Sequence, residues 1–441
     1  MPIVGEFSRE FIVTSYLIFS SSESSGQSRQ PDDAPGVMLK LHMVTGHGRS
    51  DRIYLDYAST SPPRDVAVNA VADLLGEKQF GDPSRNYYEA MLIREHIERA
   101  RESVADLIGA KARNVVFTSS GTEAINLAIY NAARYVDTHT LPNSNGGRSV
   151  ILCTELDHSS IRLGAELWGV PYHVPVNPET AQPDIGILRE MLADYKRNKV
   201  AVALVNCQVI NHESGTLQPF REIIDICREF ETPVHVDACN AIGYELLEEK
   251  LQDVDYVSMT AHKLGAFSGI GALIVKGNIR IKPIIVGAAQ ERMRRAGMEN
   301  YLGIHAFGTV CRQMSEDSFI ASELTRYREL LKPLRLFVEQ SPYMELLPFD
   351  DNMASNYLLI SLNNVKAEAV LIGLDKEGIS VHSGSSCSSE PFSPPSGFSA
   401  LGIDVDSILR ISVGWATREK DIKVFTSKLE EITSNMSAFL N

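Results

Sequence analysis

A lysine stands between a short apolar segment and a glycine-rich turn in the middle of the chain. Lys263 follows His262 and the predicted strand 256–259, and Gly269 begins the turn that leads into the next apolar run. A lysine at a strand end beside a glycine-lined pocket is well placed to form a Schiff base with a carbonyl cofactor such as pyridoxal phosphate. Because most lysines are solvated surface charges, this position alone leaves both interpretations open.

The segment 117–123 is a candidate phosphate site. Gly121 and Thr122 stand where a predicted strand ends and a predicted helix begins. Free backbone N–H groups at a helix N-terminus, next to glycine and hydroxyl side chains, bind phosphate. The alternative is a capping box formed with Glu123, and the two functions are compatible.

Two charged residues lie within or at the end of apolar runs that we interpret as strands. Asp237 ends the run 234–236, and Arg410 lies between Leu409 and Ile411. A buried charge requires a partner. For Asp237 this partner is either a cofactor's pyridinium nitrogen or the start of the next helix. For Arg410 a substrate carboxylate held by two parallel hydrogen bonds is the functional alternative to a structural pair.

Cys387 lies in a segment rich in Ser, Gly and Pro that continues to Ser399. This composition is typical of an exposed loop, in which a cysteine is not core filler. An exposed thiol is costly to keep unless its reactivity is used, so Cys387 is a candidate nucleophile.

Short apolar runs alternate with helical patterns along the chain, and the strands and helices that they predict would position these residues. This alternation predicts a mostly parallel α/β sheet, with ligands bound at the carboxyl ends of its strands. After about residue 310 a long helical stretch and two further strands predict a smaller α+β domain. We therefore predict a disordered leader (1–51), a large cofactor-binding domain (52–309) and a small C-terminal domain with the Cys387 loop (310–441). The strands predicted for the large domain are 115–118, 149–154, 200–206, 234–236, 256–259 and 272–275.

The overall composition excludes several classes of function. A net charge of −14 over 441 residues argues against binding to nucleic acid. No run approaches the roughly 20 apolar residues needed to span a membrane. The six cysteines are scattered without metal-ligand spacing, so we expect no metal and a reducing compartment such as the cytoplasm. Organelle targeting by the leader stays open.

The chain resembles the cysteine desulfurases, which are pyridoxal-phosphate enzymes of the class V aminotransferase group with fold type I. The resemblance extends from about Arg52 to Ile432 and depends on several motifs in the same order. The segment around Cys387 resembles the long-loop group, whose cysteine carries sulfur to an acceptor protein. The motifs include Leu55-Asp-Tyr-Ala, Thr154-Glu followed by His158, His235-Val-Asp-Ala, His262-Lys263, Ser383-Gly-Ser-Ser-Cys387 and Leu409-Arg-Ile-Ser.

The resemblance implies a role for each candidate residue. Lys263 would hold the cofactor and move the substrate's Cα proton, while His158 would stack on the ring and assist proton transfer. Asp237 would hold the ring nitrogen. Arg410 would bind the carboxylate of L-cysteine, and Cys387 would take its sulfur as a persulfide, leaving alanine. The resemblance also implies a homodimer, and it assigns the phosphate to Gly121, Thr122, Thr260 and His262.

The chain departs from the family pattern at positions near the cofactor. His212 stands where asparagine is usual, and Asn240 where glutamine is usual. Both positions normally address the cofactor or the substrate. Met298 replaces a threonine that reaches the phosphate of the neighbouring subunit, and Asp82 replaces an asparagine. These departures motivate two alternatives: a selenocysteine lyase, C–S β-lyase or class V aminotransferase, and a degenerate member that acts as a non-catalytic partner.

Overall fold

A computed structural model describes residues 52–139, 149–245, 251, 254–384 and 397–440 of the chain. The predicted leader 1–51 lies outside these residues, as does Cys387. The strands are β1 (Ile53–Tyr54), β2 (Val115–Thr118), β3 (Val150–Cys153), β4 (Val170–His173), β5 (Val176–Asn177), β6 (Gln182–Pro183), β7 (Val202–Gln208), β8 (Val234–Asp237), β9 (Tyr256–Thr260), β10 (Gly271–Val275), β11 (Met344–Leu346), β12 (Tyr357–Leu362), β13 (Ile379–Ser380), β14 (His382–Ser383) and β15 (Ile408–Ser412).

Helices cover the sheets and connect most of the strands. In the described part of the chain, no helix combines the length and the apolar character that crossing a membrane requires. The helices are α1 (Asp65–Gly76), α2 (Tyr88–Leu107), α3 (Gly121–His139), α4 (Ser159–Trp168), α5 (Ile185–Arg197), α6 (Phe220–Glu229), α7 (Gln290–Met293), α8 (Tyr301–Met314), α9 (Phe319–Gln340), α10 (Ala367–Lys376) and α11 (Glu419–Leu440).

The main sheet has seven strands in the order β2-β10-β9-β8-β7-β3-β4. Strands β4, β3, β7, β8 and β9 run parallel to one another, while β10 is antiparallel to both β9 and β2. The predicted α/β fold with a mostly parallel sheet is therefore confirmed. Each of the six strands predicted for the large domain occurs within two residues of its predicted bounds.

Both faces of this sheet are buried, which explains why its strands are nearly continuous apolar runs. Alternate residues of β2 pack in different hydrophobic cores, one on each face of the sheet. Val116 packs with α3, whereas Val115 and Phe117 pack in the larger core that includes α2 and α8. Strands β8, β9 and β10 are buried at every residue.

A second sheet, β11-β12-β15-β14, lies in the C-terminal part of the chain. Its strand β15 carries Arg410, which stands opposite Leu359 of β12 and His382 of β14. The N-terminal strand β1 pairs in parallel with β13, so the start of the folded chain joins this region. The boundary between domains at 309/310 stays a prediction, and α8 continues through it.

Candidate active site

One cavity lies at the carboxyl ends of β7, β8 and β9, beside the N-terminus of α3. Its position agrees with the rule that ligands of parallel sheets bind at the carboxyl ends of strands. It brings together residues that are up to 143 positions apart in the chain, between Ser120 and Lys263. Nine residues predicted to form the site line it: Gly121, Thr122, His158, His212, Asp237, Asn240, Thr260, His262 and Lys263.

The amine of Lys263 is held inside the protein. Its Nζ donates a hydrogen bond to Asn240 Oδ1 at 3.0 Å, and the Asn240 amide donates in turn to the hydroxyl of Tyr357. Burial lowers the pKa of Lys263, although Cys239 and Asp237 oppose that effect. A lowered pKa increases the fraction of neutral amine, which is the nucleophilic form.

The Asp237 carboxylate at the end of β8 is only 7% exposed. Its Oδ1 accepts hydrogen bonds from the backbone N–H of Cys239 and from Ser258 Oγ, both at 3.0 Å. These bonds fix the carboxyl group at the wall of the cavity. The backbone contact also resembles a cap on the following turn, so the structural interpretation of Asp237 is observed and is compatible with the predicted contact to a ring nitrogen.

His158 is the N-cap residue of α4, and its Nδ1 accepts from the backbone N–H of Ser160 at 3.1 Å. The neutral ring therefore carries its proton on Nε2. Burial lowers the pKa of His158, and the nearby Lys263 lowers it further. The ring of His212 meets that of His158 edge to face at 4.8 Å between centroids. Burial also lowers the pKa of His212 well below its ordinary value.

The N-terminus of α3 forms both the capping box and the open cradle that the sequence suggested. Glu123 accepts from the backbone N–H and the hydroxyl of Ser119, and Arg295 binds the same carboxylate at 2.9 and 3.2 Å. The first N–H groups of a helix have no intrahelical acceptor, so those of Gly121 and Thr122 are available to a ligand. A Cβ at position 121 would lie 2.5 Å from Cys239 Sγ, which explains the glycine.

Thr260 and His262 complete the polar wall at the end of β9. Thr260 Oγ1 is buried and has no hydrogen-bond partner among the described residues. A buried hydroxyl without a partner is costly, so its position indicates a ligand. His262 Nδ1 contacts Thr60 Oγ1 at 3.0 Å, and burial lowers the pKa of His262 to about 4.

Arg410, on β15, does not itself line the cavity but contacts the backbone of His212, which does. Its Nη1 donates to the backbone oxygen of His212 at 2.6 Å, and its Nη2 donates to Asp56 Oδ1 at 2.9 Å and to Ser59 Oγ at 2.7 Å. The side chain is 6% exposed. Arg410 thus joins the C-terminal sheet to the cavity wall, whereas the predicted nucleophile Cys387 lies outside the described residues.

Sequence and structure comparisons agree with this geometry. The sequence model of the family named Aminotransferase class-V matches residues 53–425, which is most of the chain. The chain belongs to the class-V aminotransferase family. Proteins of this family depend on pyridoxal phosphate, and the chain is a pyridoxal-phosphate-dependent enzyme.

Similar members of the class-V aminotransferase family are named cysteine desulfurases. The chain is 30% identical to the cysteine desulfurase IscS of Dictyoglomus turgidum over 87% of this chain and 95% of that protein. It is 32% identical to the IscS of Haemophilus influenzae over 84% and 90%. The NifS-like protein of Rickettsia africae superposes with a TM-score of 0.75 at 26% identity, covering 86% of this chain and 99% of that one.

The cavity fits pyridoxal phosphate, the cofactor of the class-V aminotransferase family. The partnerless hydroxyl of Thr260 and the N-terminus of α3 suit the phosphate. The carboxylate of Asp237 suits the ring nitrogen, and the buried amine of Lys263 suits the carbonyl carbon. These features are independent of one another, since they come from β8, β9, the turn after β9 and α3.

Several residues of the site were not predicted from the sequence. Gln208 and Cys239 line the cavity, Ser258 and Tyr357 hold the cavity residues Asp237 and Asn240, and Asp56 holds Arg410. The sequence does contain a feature that could have identified Gln208 as a site residue, because it is a polar residue at the end of an apolar strand. Cys239 stands between two predicted site residues. Because cysteine usually behaves as a small apolar residue, the sequence around it did not indicate a position in the site.

Proposed function

We propose that this enzyme is a cysteine desulfurase that converts L-cysteine to L-alanine and holds the sulfur as a persulfide on Cys387. The observation that carries the proposal is the placement of Lys263, Asp237 and His158 around one cavity with Arg410 at its edge. The names of its sequence relatives support the choice of reaction.

The reaction balances without an external oxidant or reductant. The C–S bond of the substrate breaks and an S–S bond to Cys387 forms, while the substrate's Cβ gains a proton. Cysteine and the Cys387 thiol become alanine and a Cys387 persulfide. Pyridoxal phosphate, when bound, supplies a carbonyl group that binds the substrate's amine and a ring that accepts electrons.

The chain's own groups orient the substrate and move its protons. Arg410 binds the substrate carboxylate with the charge-assisted hydrogen bonds that a guanidinium forms. Lys263 takes the Cα proton, because its lowered pKa leaves the amine free to accept one. His158, neutral with its proton on Nε2, would donate to the reacting groups and would stack on the cofactor ring. Asn240 holds the Lys263 amine in position.

The nucleophile enters the proposal through the sequence alone. Cys387 follows Ser383 by four residues, and Ser383 pairs with Leu409, the residue before Arg410. Ser383, four residues before Cys387 in the sequence, thus pairs with the strand that carries Arg410. We expect its thiol to act as the sulfur carrier to an acceptor protein.

We propose a homodimer as well. Large apolar side chains stand exposed on α2 and on the segment after β10, which is unusual for a surface that faces only water. Val286 is 77% exposed, and Met298 is exposed although a threonine is usual in the family. Sedimentation equilibrium is expected to give twice the chain mass of 48.7 kDa. The exposed apolar residues are Tyr88, Met91, Ile285, Val286, Met293 and Met298.

A reducing compartment is consistent with the cysteines of the described region. Cys153, Cys207, Cys227 and Cys311 are buried free thiols, and Cys239 lies in the cavity wall. A free thiol in the cofactor pocket favours surroundings in which thiols stay reduced. We propose that the enzyme works in the cytoplasm or another reducing compartment.

The proposed reaction is tested by measuring sulfide and alanine formed from L-cysteine in the presence of a reductant. The unaltered enzyme is expected to form both in equal amounts. Cys387→Ala is expected to lose sulfide release, whereas Ser386→Ala, in the same segment, is expected to keep it. Sulfide from Cys387→Ala would favour a C–S β-lyase instead, a preference for selenocysteine would favour a selenocysteine lyase, and a product keto acid would favour an aminotransferase. A protein that binds no cofactor would be a degenerate member.

A further inference from the structure

Three buried polar atoms in the wall of the cofactor cavity have no hydrogen-bond partner among the residues that the structure describes. They are Thr260 Oγ1, His212 Nδ1 and Gln208 Nε2, and all three residues line the cavity. A buried polar atom without a partner is costly, so these atoms indicate contacts with a ligand. The Thr260 hydroxyl suits the phosphate and His212 is a predicted substrate contact, whereas the amide of Gln208 still requires an acceptor.

The two ends of the Gln208 amide are identified by its neighbour Asn211. Asn211 Oδ1 accepts from the backbone N–H groups of Glu213 and Ser214, at 3.0 and 2.8 Å. The Asn211 nitrogen therefore faces the other way, where it donates to the backbone oxygen of Leu156 at 2.7 Å and to Gln208 at 3.0 Å. An N–H group needs an acceptor, so the Gln208 atom at this contact is Oε1. The remaining atom, Nε2, is a buried donor.

The register of the main sheet places Gln208 beside Asp237. Gln208 ends β7 and is the partner of Asp237 at the end of β8, which is in turn the partner of Ser258 in β9. Residues in register on neighbouring strands point to the same face of a sheet, as do residues two apart on one strand. Gln208, Asp237 and Thr260 therefore share one face, in that order across β7, β8 and β9. Gln208 is only 4% exposed.

This order decides which edge of pyridoxal phosphate would face Gln208. In the cofactor the carbonyl carbon lies opposite the ring nitrogen, with the phosphate arm on one side of it and the ring hydroxyl group on the other. With the nitrogen at Asp237 and the carbonyl carbon at Lys263, a phosphate at Thr260 leaves the hydroxyl edge on the side of β7. The oxygen of that group, once ionised, is a strong acceptor of hydrogen bonds.

A small second cavity beside Gln208 offers a different acceptor. Its volume is about 10 Å³, and Asp157, Asn211 and Gln218 are among the residues that line it together with Gln208. A cavity needs roughly 10–15 Å³ to hold a water, so this one has room for a single water at most. Gln208 Oε1 already faces Asn211, which lines the small cavity and not the cofactor cavity. The opposite branch of the amide, Nε2, is therefore better placed for the cofactor.

We propose that Gln208 is a cofactor-binding residue whose amide donates a hydrogen bond to the ring hydroxyl oxygen of pyridoxal phosphate. Asn240 has both ends of its own amide engaged, because its oxygen accepts from Lys263 and its nitrogen donates to Tyr357. The Gln208 bond favours the ionised form of the cofactor oxygen. The proposal takes the orientation of the cofactor from Asp237 and Lys263, as the proposed function does, and it is independent of the reaction.

Binding of two forms of the cofactor to the full-length protein tests this contact. The probes are pyridoxal phosphate and 3-deoxypyridoxal phosphate, in which hydrogen replaces the ring hydroxyl group. Gln208→Met removes the amide and keeps an unbranched side chain. We expect its Kd for pyridoxal phosphate to rise about tenfold, since a donor to a charged oxygen is lost, and its Kd for the deoxy form to rise less than about twofold. Fluorescence titration measures both values.

Two results would overturn the contact. An equal rise of both Kd values would mean that Gln208 only shapes the cavity, and no rise in either would mean that its amide binds a water in the small cavity. Gln218→Met is the matched control, because Gln218 lines the small cavity and not the cofactor cavity. This control is expected to leave both Kd values unchanged.

A second variant covers the case in which Gln208→Met disturbs the fold. Gln208→Glu keeps the oxygen that Asn211 binds and replaces only the donor. We expect the Kd for pyridoxal phosphate to rise at least as much as in Gln208→Met, again with little change for the deoxy form. A Gln208→Glu protein that binds pyridoxal phosphate as tightly as the unaltered enzyme would contradict the contact.

The two proposals fail in different ways. An enzyme that forms no sulfide from cysteine but loses affinity for pyridoxal phosphate selectively in Gln208→Met would overturn the proposed reaction and keep the Gln208 contact. An enzyme that forms sulfide, with both Kd values unchanged in Gln208→Met, would do the reverse.

Discussion

Two arginines of this enzyme are buried to nearly the same extent and differ in how their partners hold them. The side chains of Arg101 and Arg410 are 4% and 6% exposed. Arg101 forms a two-point contact with Glu291, at 2.7 and 2.8 Å. Arg410 donates to Asp56 from Nη2, and it also contacts the hydroxyl of Ser59 and the backbone oxygen of His212. Depth of burial therefore does not distinguish the structural Arg101 from Arg410, the proposed carboxylate-binding residue, whereas the geometry of their partners does.

The partner of Arg101 explains why that pair is structural. Glu291 also accepts from the backbone N–H of Phe117 in β2, so one carboxylate joins α2, β2 and α7. It begins three successive residues with left-handed backbone, Glu291, Arg292 and Met293, at φ of 46°, 57° and 66°. Such a conformation costs about 1–2 kcal/mol at each residue other than glycine. The buried pair offsets that strain and holds the segment that leads to Arg295.

The largest effect is expected from breaking the Arg101 pair. Arg101→Gln leaves the Glu291 carboxylate buried without its cation, which costs about 3–5 kcal/mol in the free energy of unfolding. Urea denaturation followed by circular dichroism measures the loss. Arg99→Gln, an exposed position on the same helix, is the control and is expected to change little.

The double variant Arg101→Gln/Glu291→Gln sharpens this prediction. It leaves no uncompensated charge, so it is expected to recover part of the stability lost in Arg101→Gln. A double variant that is as unstable as the sum of the two single variants would show that the pair does not act as a unit.

Arg410→Gln is expected to differ from Arg101→Gln. It should have a large effect on kinetics and a smaller effect on the free energy of unfolding. Removal of the charge-assisted contacts to the substrate carboxylate lowers kcat/KM for L-cysteine about 100-fold. Steady-state sulfide release measures it, and Arg418→Gln, whose side chain is 60% exposed, is the control. A stability loss as large as that of Arg101→Gln, with kinetics of the folded fraction unchanged, would remove the distinction between the two arginines.

Arg410→Lys tests whether geometry or charge matters at the edge of the cavity. Lysine keeps the positive charge but cannot form two parallel hydrogen bonds with a carboxylate. We expect kcat/KM to fall about tenfold, which is less than in Arg410→Gln. Equal losses in the two variants would mean that charge alone contributes nothing to substrate binding.

The smallest effect is expected at a third pair, Arg295 with Glu123. This pair has two-point geometry, but its side chains are 21% and 16% exposed, so solvent weakens it. Arg295→Gln leaves the Glu123 charge uncompensated beside the phosphate cradle, and we expect the Kd for pyridoxal phosphate to rise about fivefold. A fluorescence titration measures it, with the exposed Arg292→Gln as control. A Kd that does not change would show that Glu123 has no influence on the cofactor.

The comparison also shows what the sequence can predict. Asp237, a charged residue that ends an apolar strand, was expected at the ligand-binding edge because parallel strands end at the same edge of a sheet, whereas Thr260 was assigned to the site by the family resemblance. Arg410 carried a signal too, as a charge within an apolar strand. Both inferences use only local pattern and one rule of topology.

The partners of these residues could not be predicted in the same way. Arg101 and Glu291 are 190 positions apart, and Arg410 and Asp56 are 354 apart, so no local window contains both members of a pair. The left-handed turn that begins at Glu291 contains no glycine, so the sequence does not indicate it. The positions of Gln208 and Ser258 beside Asp237 depend on the register of neighbouring strands, which the sequence leaves open.

The most direct test of the account is chemical identification of the lysine that binds the cofactor. The purified enzyme is loaded with pyridoxal phosphate, reduced with borohydride, digested and analysed by mass spectrometry, and a parallel sample receives L-cysteine before reduction. The account predicts the cofactor mass on Lys263 and on no exposed lysine such as Lys276, with labelling reduced by L-cysteine. Labelling of another lysine, or of none, would contradict the central claim that this cavity is the catalytic site.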